Sequence, residues 1–346
     1  MHVPDHLIDS RTELIAGVTA AAVVARVAWE LRRGAVEQPE TSALPATTGQ
    51  PRPEAPPSPG SATLLSDPER FGAQLATAAL VFALQMVNFP VLPGTSGHLL
   101  GGALAVALIG PRRALLAVTA VLVTQALVFA DGGTGALGVN VWLIAILPVA
   151  VAAVAARALD PGRSAGWAKR YGTAGLAAFA GPPVAALGFV AFIATGTTGT
   201  TASLGEIARS MIGVHLAIGL GEAALTVAVL AAAQAASTQR RQIDTAPVWG
   251  AAIVSAAGLS LLASSAPDGL ERVAADLGFA VTGPGSILSG GPLADYAVRG
   301  FDGLWSTSLA GLVGVAATCV VCAVLVSLAG TTAPGRSIET DRPSPS

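Results

Sequence analysis

The chain opens Met1-His2-Val3-Pro4-Asp5, and about a hundred residues later it reads Gly94-Thr95-Ser96-Gly97-His98-Leu99-Leu100-Gly101-Gly102 between two apolar runs. His2 and His98 are two of four histidines in 346 residues, and both sit in turn-forming sequence at the edge of hydrophobic segments. A free α-amine, the amide nitrogen of residue 2 and the imidazole of residue 2 close fused chelate rings around one ion. Nickel, copper and, less strongly, cobalt suit such nitrogen donors. Because amine and imidazole must be unprotonated to bind, binding should weaken as pH falls. Each residue also has a structural reading: Met1-His2 as an ordinary chain start, and His98 as a helix-start residue bonded near Thr95 or Ser96. Pro4 fixes φ and can turn the chain back toward the protein, and ionisable residues in membrane segments are functional candidates by default. A helix beginning at His98 would repel a cation, which neutral imidazole and a metal-deprotonated amide would have to outweigh.

Other chemistry-bearing residues are weaker candidates. His215 and Glu222 lie seven apart, on one helical face two turns apart, with Gly219 and Gly221 between them permitting close helix approach. A packing role is the preferred reading. Asp131, in Asp131-Gly132-Gly133-Thr134-Gly135, reads as a turn residue bonded to its own backbone, with a role in guiding cations as the other option. Cys319 and Cys322 have redox spacing but lie in an apolar run, where buried small hydrophobes are expected. The one lysine, Lys169, follows Ala168, so the chain has no Gly-Lys-Ser/Thr phosphate loop. It is not expected to be an enzyme or to hydrolyse ATP by that route.

The elements that must position these residues are membrane spans. Hydrophobic residues make up 52% of the chain and charged ones 12%, which places it among all-α polytopic membrane proteins in a lipid bilayer. Uncharged runs near the length needed to span occur at 12–31, 70–90, 98–110, 113–130, 138–157, 172–195, 208–235, 247–264 and 306–329. The expectation is therefore about nine transmembrane helices, the third too short to span easily. With the N-terminus outside, fourteen Lys and Arg fall on the cytoplasmic side, including Arg112, Arg113, Arg163 and Arg170, and four fall outside. His2 and His98 then share the outer face. The first residues lack the positive start of a cleavable signal, so the first span should be retained. A net charge of −2 without a basic stripe gives no support to nucleic-acid binding.

Residues 34–66 are Pro-rich and read as a flexible cytoplasmic linker. The division expected is a seven-helix metal-binding unit at 1–241, a two-helix unit at 242–330 and a disordered tail at 331–346. The Asn88–His98 stretch puts two Pro and two Gly at membrane depth, where non-helical backbone is tolerated only against protein or a cavity. It is a candidate binding-site wall.

Taken together, Met1-His2-Val3-Pro4-Asp5, Gln85-Met86-Val87-Asn88-Phe89-Pro90-Val91, Gly94 to Gly102, Asp131-Gly132-Gly133 with Ala136 to Val141, and Gly213-Val214-His215 to Glu222-Ala223 resemble one family. It is the nickel- and cobalt-specific membrane component of energy-coupling-factor transporters, the CbiM/NikM type. The C-terminal unit, with Pro267-Asp268-Gly269-Leu270-Glu271, looks like the accessory protein of such systems that bears this signature. Fusion of the two would raise their effective concentration and keep them paired. The resemblance implies a metal held by the amino nitrogen of Met1, the backbone and imidazole nitrogens of His2, and His98. It also implies a separate transmembrane coupling protein and two cytoplasmic ATPases as partners. His6 stands where the family usually has Gly, so either a turn changes or an extra ligand is offered.

The expectation is a multi-pass component of the cytoplasmic membrane that captures nickel or cobalt outside and delivers it inward, with no permanent cofactor. Cobalamin synthesis or nickel enzymes would be the destination. The other readings are an ATPase-independent secondary transporter, with Glu222 as its acidic coupling residue, and a membrane metal sensor. A planar nitrogen set with a deprotonated amide tilts the choice toward nickel.

Overall fold

The structure, a computed structural model, describes residues 1–36, 67–159, 166–196, 200–238, 243–281, 286–301 and 303–330. The Pro-rich linker from residue 37 on, Arg163, the Arg240-Arg241 boundary and the 331–346 tail lie outside the described residues.

Helices dominate, and their starts are written in the sequence. Helix α1 (Ser10–Val36) begins where the Asp9 carboxylate accepts the N–H groups of Arg11 and Thr12. Helix α2 (Pro68–Gln85) has Asp67 as N-cap and Pro68 in its first turn, each suited to its place. A short hairpin follows, β1 (Phe89–Leu92) against β2 (Thr95–Gly97), antiparallel with an irregularity between Pro90 and Leu92. Then come α3 (Gly102–Ile109) and α4 (Pro111–Thr124), the latter widened by a π turn over Gln125–Phe129. After a Gly-rich loop, α5 (Leu137–Asn140) runs through a second π stretch, Val141–Ile146, into α6 (Leu147–Ala158). The long pair α7 (Trp167–Thr195) and α8 (Leu204–Ala235) pack side by side. The C-terminal part holds α9 (Thr245–Ala257), α10 (Gly269–Asp276) and α11 (Leu304–Gly330).

Among the described residues six helices are long and apolar enough to cross a membrane: Ser10–Leu31, Pro111–Phe129, Leu137–Ala158, Trp167–Thr195, Leu204–Ala235 and Trp305–Leu328. Thr245–Ala257 is a shorter apolar helix. The chain is a mostly helical, multi-pass membrane protein. Helix structure lies at each of the nine expected positions, but α2 opens on Glu69 and Arg70 and α3 has only 8 residues. The segment read as a third span from residue 98 is helical only from Gly102, because the chain before it folds into the hairpin.

The C-terminal helices pack into the rest. Helices α9 and α11 lie against α2, and α11 also against α4. A Cβ at Gly311 would come 2.6 Å from the Ala256 carbonyl oxygen, so α11 and α9 approach at backbone distance. One buried cluster includes Leu80, Phe82, Leu115, Phe189, Ala252, Ala256 and Ala310, drawn from both ends of the chain.

Candidate metal centre

The first eight residues fold in. Met1, Val3, Leu7 and Ile8 are buried, and the main chain of residue 3 is held like a strand. Val3 N–H donates to Asn140 Oδ1 at 2.7 Å, and its carbonyl accepts from Asn140 Nδ2 at 3.1 Å and from Gly133 N at 2.9 Å. Asp5 reaches into the same loop, accepting from Gly135 N at 2.8 Å and Ala136 N at 3.4 Å. The loop needs glycine because the terminal segment lies on its backbone. A Cβ at Gly133 would sit 2.3 Å from Asp5 N, and Gly132, at φ +82°, would meet Asn140 Nδ2 at 2.8 Å. Gly132 and Gly133 therefore form a cradle, where the sequence reading saw a tight turn.

His98 arrives from the opposite side, at the end of β2. The hairpin is pinned by the C-terminal part of the chain: Ser96 N and Oγ donate to the carbonyls of Pro267 and Ala266 at 2.9 and 2.7 Å, and Ser264 N donates to the Asn88 carbonyl at 2.8 Å. Nδ1–H of His98 donates to the Leu99 carbonyl at 3.1 Å, which fixes the tautomer and leaves the Nε2 lone pair free to accept. The Met1 amine donates to that Nε2. The His2 and His98 rings stack at 5.1 Å between centroids and 18° between planes. Three residues named from the sequence are thus brought together across 97 positions.

Carboxylates surround them. Asp268 Oδ2 lies 2.7 Å from Met1 N. His2 Nδ1 lies 3.2 Å from Asp131 Oδ1, and its Nε2 lies 3.1 Å from Gln125 Oε1. Tyr296 OH donates to the other Asp131 oxygen at 2.5 Å. Burial, partly opposed by Asp131, pushes the His2 imidazole below its ordinary value. Burial, then the terminal ammonium and His2, push His98 well below its own. Both shifts favour the neutral form of the rings, the form that binds a metal. Burial alone would raise the Asp268 carboxyl, but the terminal ammonium and His98 hold it well below the usual carboxylate range. Burial and Asp131 push the Tyr296 phenol well above 10, so it stays a donor. A cavity of about 760 Å³ opens beside the group, lined by His2, His98, Asp131, Asp268, Glu271 and Tyr296 among others.

The remaining candidates fall elsewhere. His6 is exposed, with φ +71°. It takes the left-handed turn conformation that glycine would adopt without strain, and it is not among the residues lining the cavity. Glu222 caps α3: its two oxygens accept Leu100 N and Gly101 N at 3.0 and 3.1 Å. A carboxylate thus answers the positive helix end, which starts four residues beyond His98. His215 is bonded through Nδ1 to the Met211 carbonyl at 2.7 Å rather than to Glu222. Cys319 and Cys322 are free thiols on α11. Among the described residues no group of three or more His, Cys, Asp or Glu side chains is placed to hold a metal, so any ion here would need main-chain nitrogen. Sequence reasoning gave no individual role to Asp268, Tyr296, Asn140 or Gln125. Their one signal was amide, carboxyl and phenol groups standing in largely apolar or signature stretches.

Residues 66–240 match the family described as cobalt uptake substrate-specific transmembrane region, CbiM, and residues 245–331 match the PDGLE domain. A putative fused nickel transport protein NikMN of Archaeoglobus fulgidus is 36% identical over 248 residues, covering 68% of this chain and 79% of that protein. The fused nickel transport protein NikMN of Rhodobacter capsulatus is 38% identical over 110 residues, 32% of either chain. A crystal structure described as a transition metal transporter superimposes with a TM-score of 0.50 over 67% of this chain and 91% of that one, at 22% identity, a likeness of fold alone.

Proposed function

The chain belongs to the CbiM family of cobalt uptake substrate-specific transmembrane regions, with a PDGLE domain behind it, and from that premise we propose that it is the capture subunit of an energy-coupling-factor importer. Its cargo is nickel or cobalt, taken up across the cytoplasmic membrane, and the cell uses it for cobalamin synthesis or nickel enzymes. The ion is held by the Met1 amine, the His2 amide nitrogen, the His2 imidazole and His98 Nε2. Residues 1–241 form the metal-binding unit and 242–330 the accessory unit.

The observation that carries this reading is the meeting of Met1 N, His2 and His98 Nε2 at one buried point. In a planar chelate the amide nitrogen stands between amine and imidazole, so the fourth donor must come beside the amine. His98 Nε2 stands beside the amine. His2 Nδ1 is the ring nitrogen that closes the chelate, and Asp131 holds it; capture requires the ring to turn from Asp131 to the ion. Four nitrogens in a plane favour nickel.

Energy for release comes from cytoplasmic ATPases through a transmembrane coupling protein that contacts the loops near Arg112-Arg113 or Arg163 to Arg170. Glu222, the acidic residue that the secondary-transporter reading would need, has both oxygens engaged by backbone N–H groups. The test exposes the purified chain to equal nickel, cobalt, copper and zinc and counts what it retains. One nickel or cobalt per chain, lost in His2→Ala and in His98→Ala, is expected. Retention unchanged by both substitutions would overturn the site.

A further inference from the structure

The C-terminal unit puts one carboxylate into the cluster around Met1. Asp268 Oδ2 is 2.7 Å from Met1 N and 3.9 Å from His98 Nε2, and the side chain keeps 13% of its exposure. Its other oxygen caps α10, accepting Leu270 N and Glu271 N at 2.7 and 2.9 Å, while Asp268 N donates to Glu271 Oε2 at 2.9 Å. The stretch before it is bonded to the hairpin through Ser96, and Gly269 behind it lies against Val214, Ile218 and His215 of α8, where a Cβ would come 2.8 Å from Val214. The place of Oδ2 is therefore set by the fold on both sides and does not depend on the ion pair it makes.

Charge decides what such a carboxylate can do there. An amine, two neutral imidazoles and one deprotonated amide carry a single negative charge, so a bound divalent cation would leave one positive charge in a buried site. Uncompensated charge in such a place is strongly disfavoured. Asp131, beside His2, and Asp268, beside the amine, are the carboxylates at hand to offset it, and Asp268 is the one paired with the amine. A metal-bound amine also keeps two N–H bonds, and Oδ2 at 2.7 Å can accept one without moving.

Resting on the Met1, His2 and His98 reading, we propose that Asp268 is a positioning and charge-neutralising residue of the metal site, supplied by the C-terminal unit. The capture site is then complete only with that unit docked. An Asp that merely caps α10 is separable from this role, because Asn and Ser cap a helix about as well without the charge.

The experiment titrates nickel chloride into the full chain in detergent and records the thermal midpoint of each variant. Asp268→Asn should bind roughly 10- to 100-fold more weakly and, having lost the ion pair to Met1 N, unfold at a lower midpoint while still folding cooperatively, and Asp268→Glu should recover part of both losses. Asp268→Ser replaces the Asn variant should that one not fold. Wild-type affinity in Asp268→Asn beside lost binding in His98→Ala would overturn this inference and leave the donor set standing. Wild-type affinity in both would overturn the donor set itself.

Discussion

Gly133→Ala tests whether the metal site depends on the cradle under the N-terminus. A Cβ there would lie 2.3 Å from Asp5 N and 2.3 Å from Asp5 Oδ1, whereas ordinary contact begins at 3.4 Å, so one segment must give way by about 1 Å. Neither gives cheaply. Asp5 Oδ1 is bonded to Gly135 N, and Gly133 N to the Val3 carbonyl. Overpacking of this kind costs about 1–3 kcal/mol, and the least constrained relief is to lift residues 1–5 off the loop. If that cost falls wholly on the binding-competent state, nickel affinity drops roughly 5- to 150-fold. The assay is nickel titration alongside thermal unfolding, with Gly72→Ala as control, since a Cβ at Gly72 meets nothing within 4 Å. A Gly133→Ala protein with wild-type affinity would refute the argument that this loop sets the place of Met1 and His2.

Three further outcomes follow from the same geometry. Glu222→Ala leaves two buried N–H groups without an acceptor, which should cost about 2–6 kcal/mol and lower the thermal midpoint sharply, with Glu222→Gln intermediate; an unchanged midpoint would show the cap to be dispensable. His6→Gly should keep full nickel affinity and gain about 1 kcal/mol by relieving a positive φ, so lost affinity in that variant would return His6 to the ligand set. A tag of several residues before Met1 removes the terminal amine from its place beside His98, and nickel binding by calorimetry should disappear along with the protons that binding releases; undiminished binding would remove the amine from the donor set.

The fold was legible where length and hydrophobicity alone determine it. Six long apolar helices stand where uncharged runs predicted spans, and Asp67-Pro68 and the Ser203–Glu206 capping box mark starts readable from residue types. The hairpin was legible only as a negative, a Pro and Gly stretch unfit for helix, because its pairing depends on Ser96 meeting residues 266 and 267 far along the chain. The same limit applies at the site. Met1, His2 and His98 carry donor chemistry in their residue types, so sequence could name them. Asp268 and Tyr296 act through where α10 and the 294–296 turn come to rest, and no local pattern encodes that. The seven-residue spacing reads His215 and Glu222 together as residues of one packing face, but helical spacing says only that two side chains share a face. The Glu222 oxygens found backbone N–H groups on α3 instead.

The loop under the N-terminus is framed by two departures from α-helical geometry, and the residues that grip the terminal segment sit at them. Gln125, which faces His2, is the first residue of the π turn closing α4. Asn140, which holds Val3 by two bonds, directly precedes the π stretch Val141–Ile146. A π turn adds one residue to a helical turn, and one residue corresponds to about 100° of rotation about the axis. Without the insertion at 125–129, Ala130 and Asp131 would leave the helix turned by about 100° from the direction that brings Asp131 to His2. The widened turns thus aim both walls of the cradle at residues 1–3. The ion would be held by the amine of residue 1 and the imidazole of residue 2, and residues 3 and 5 beside them are bonded to a loop that lies between the two π stretches.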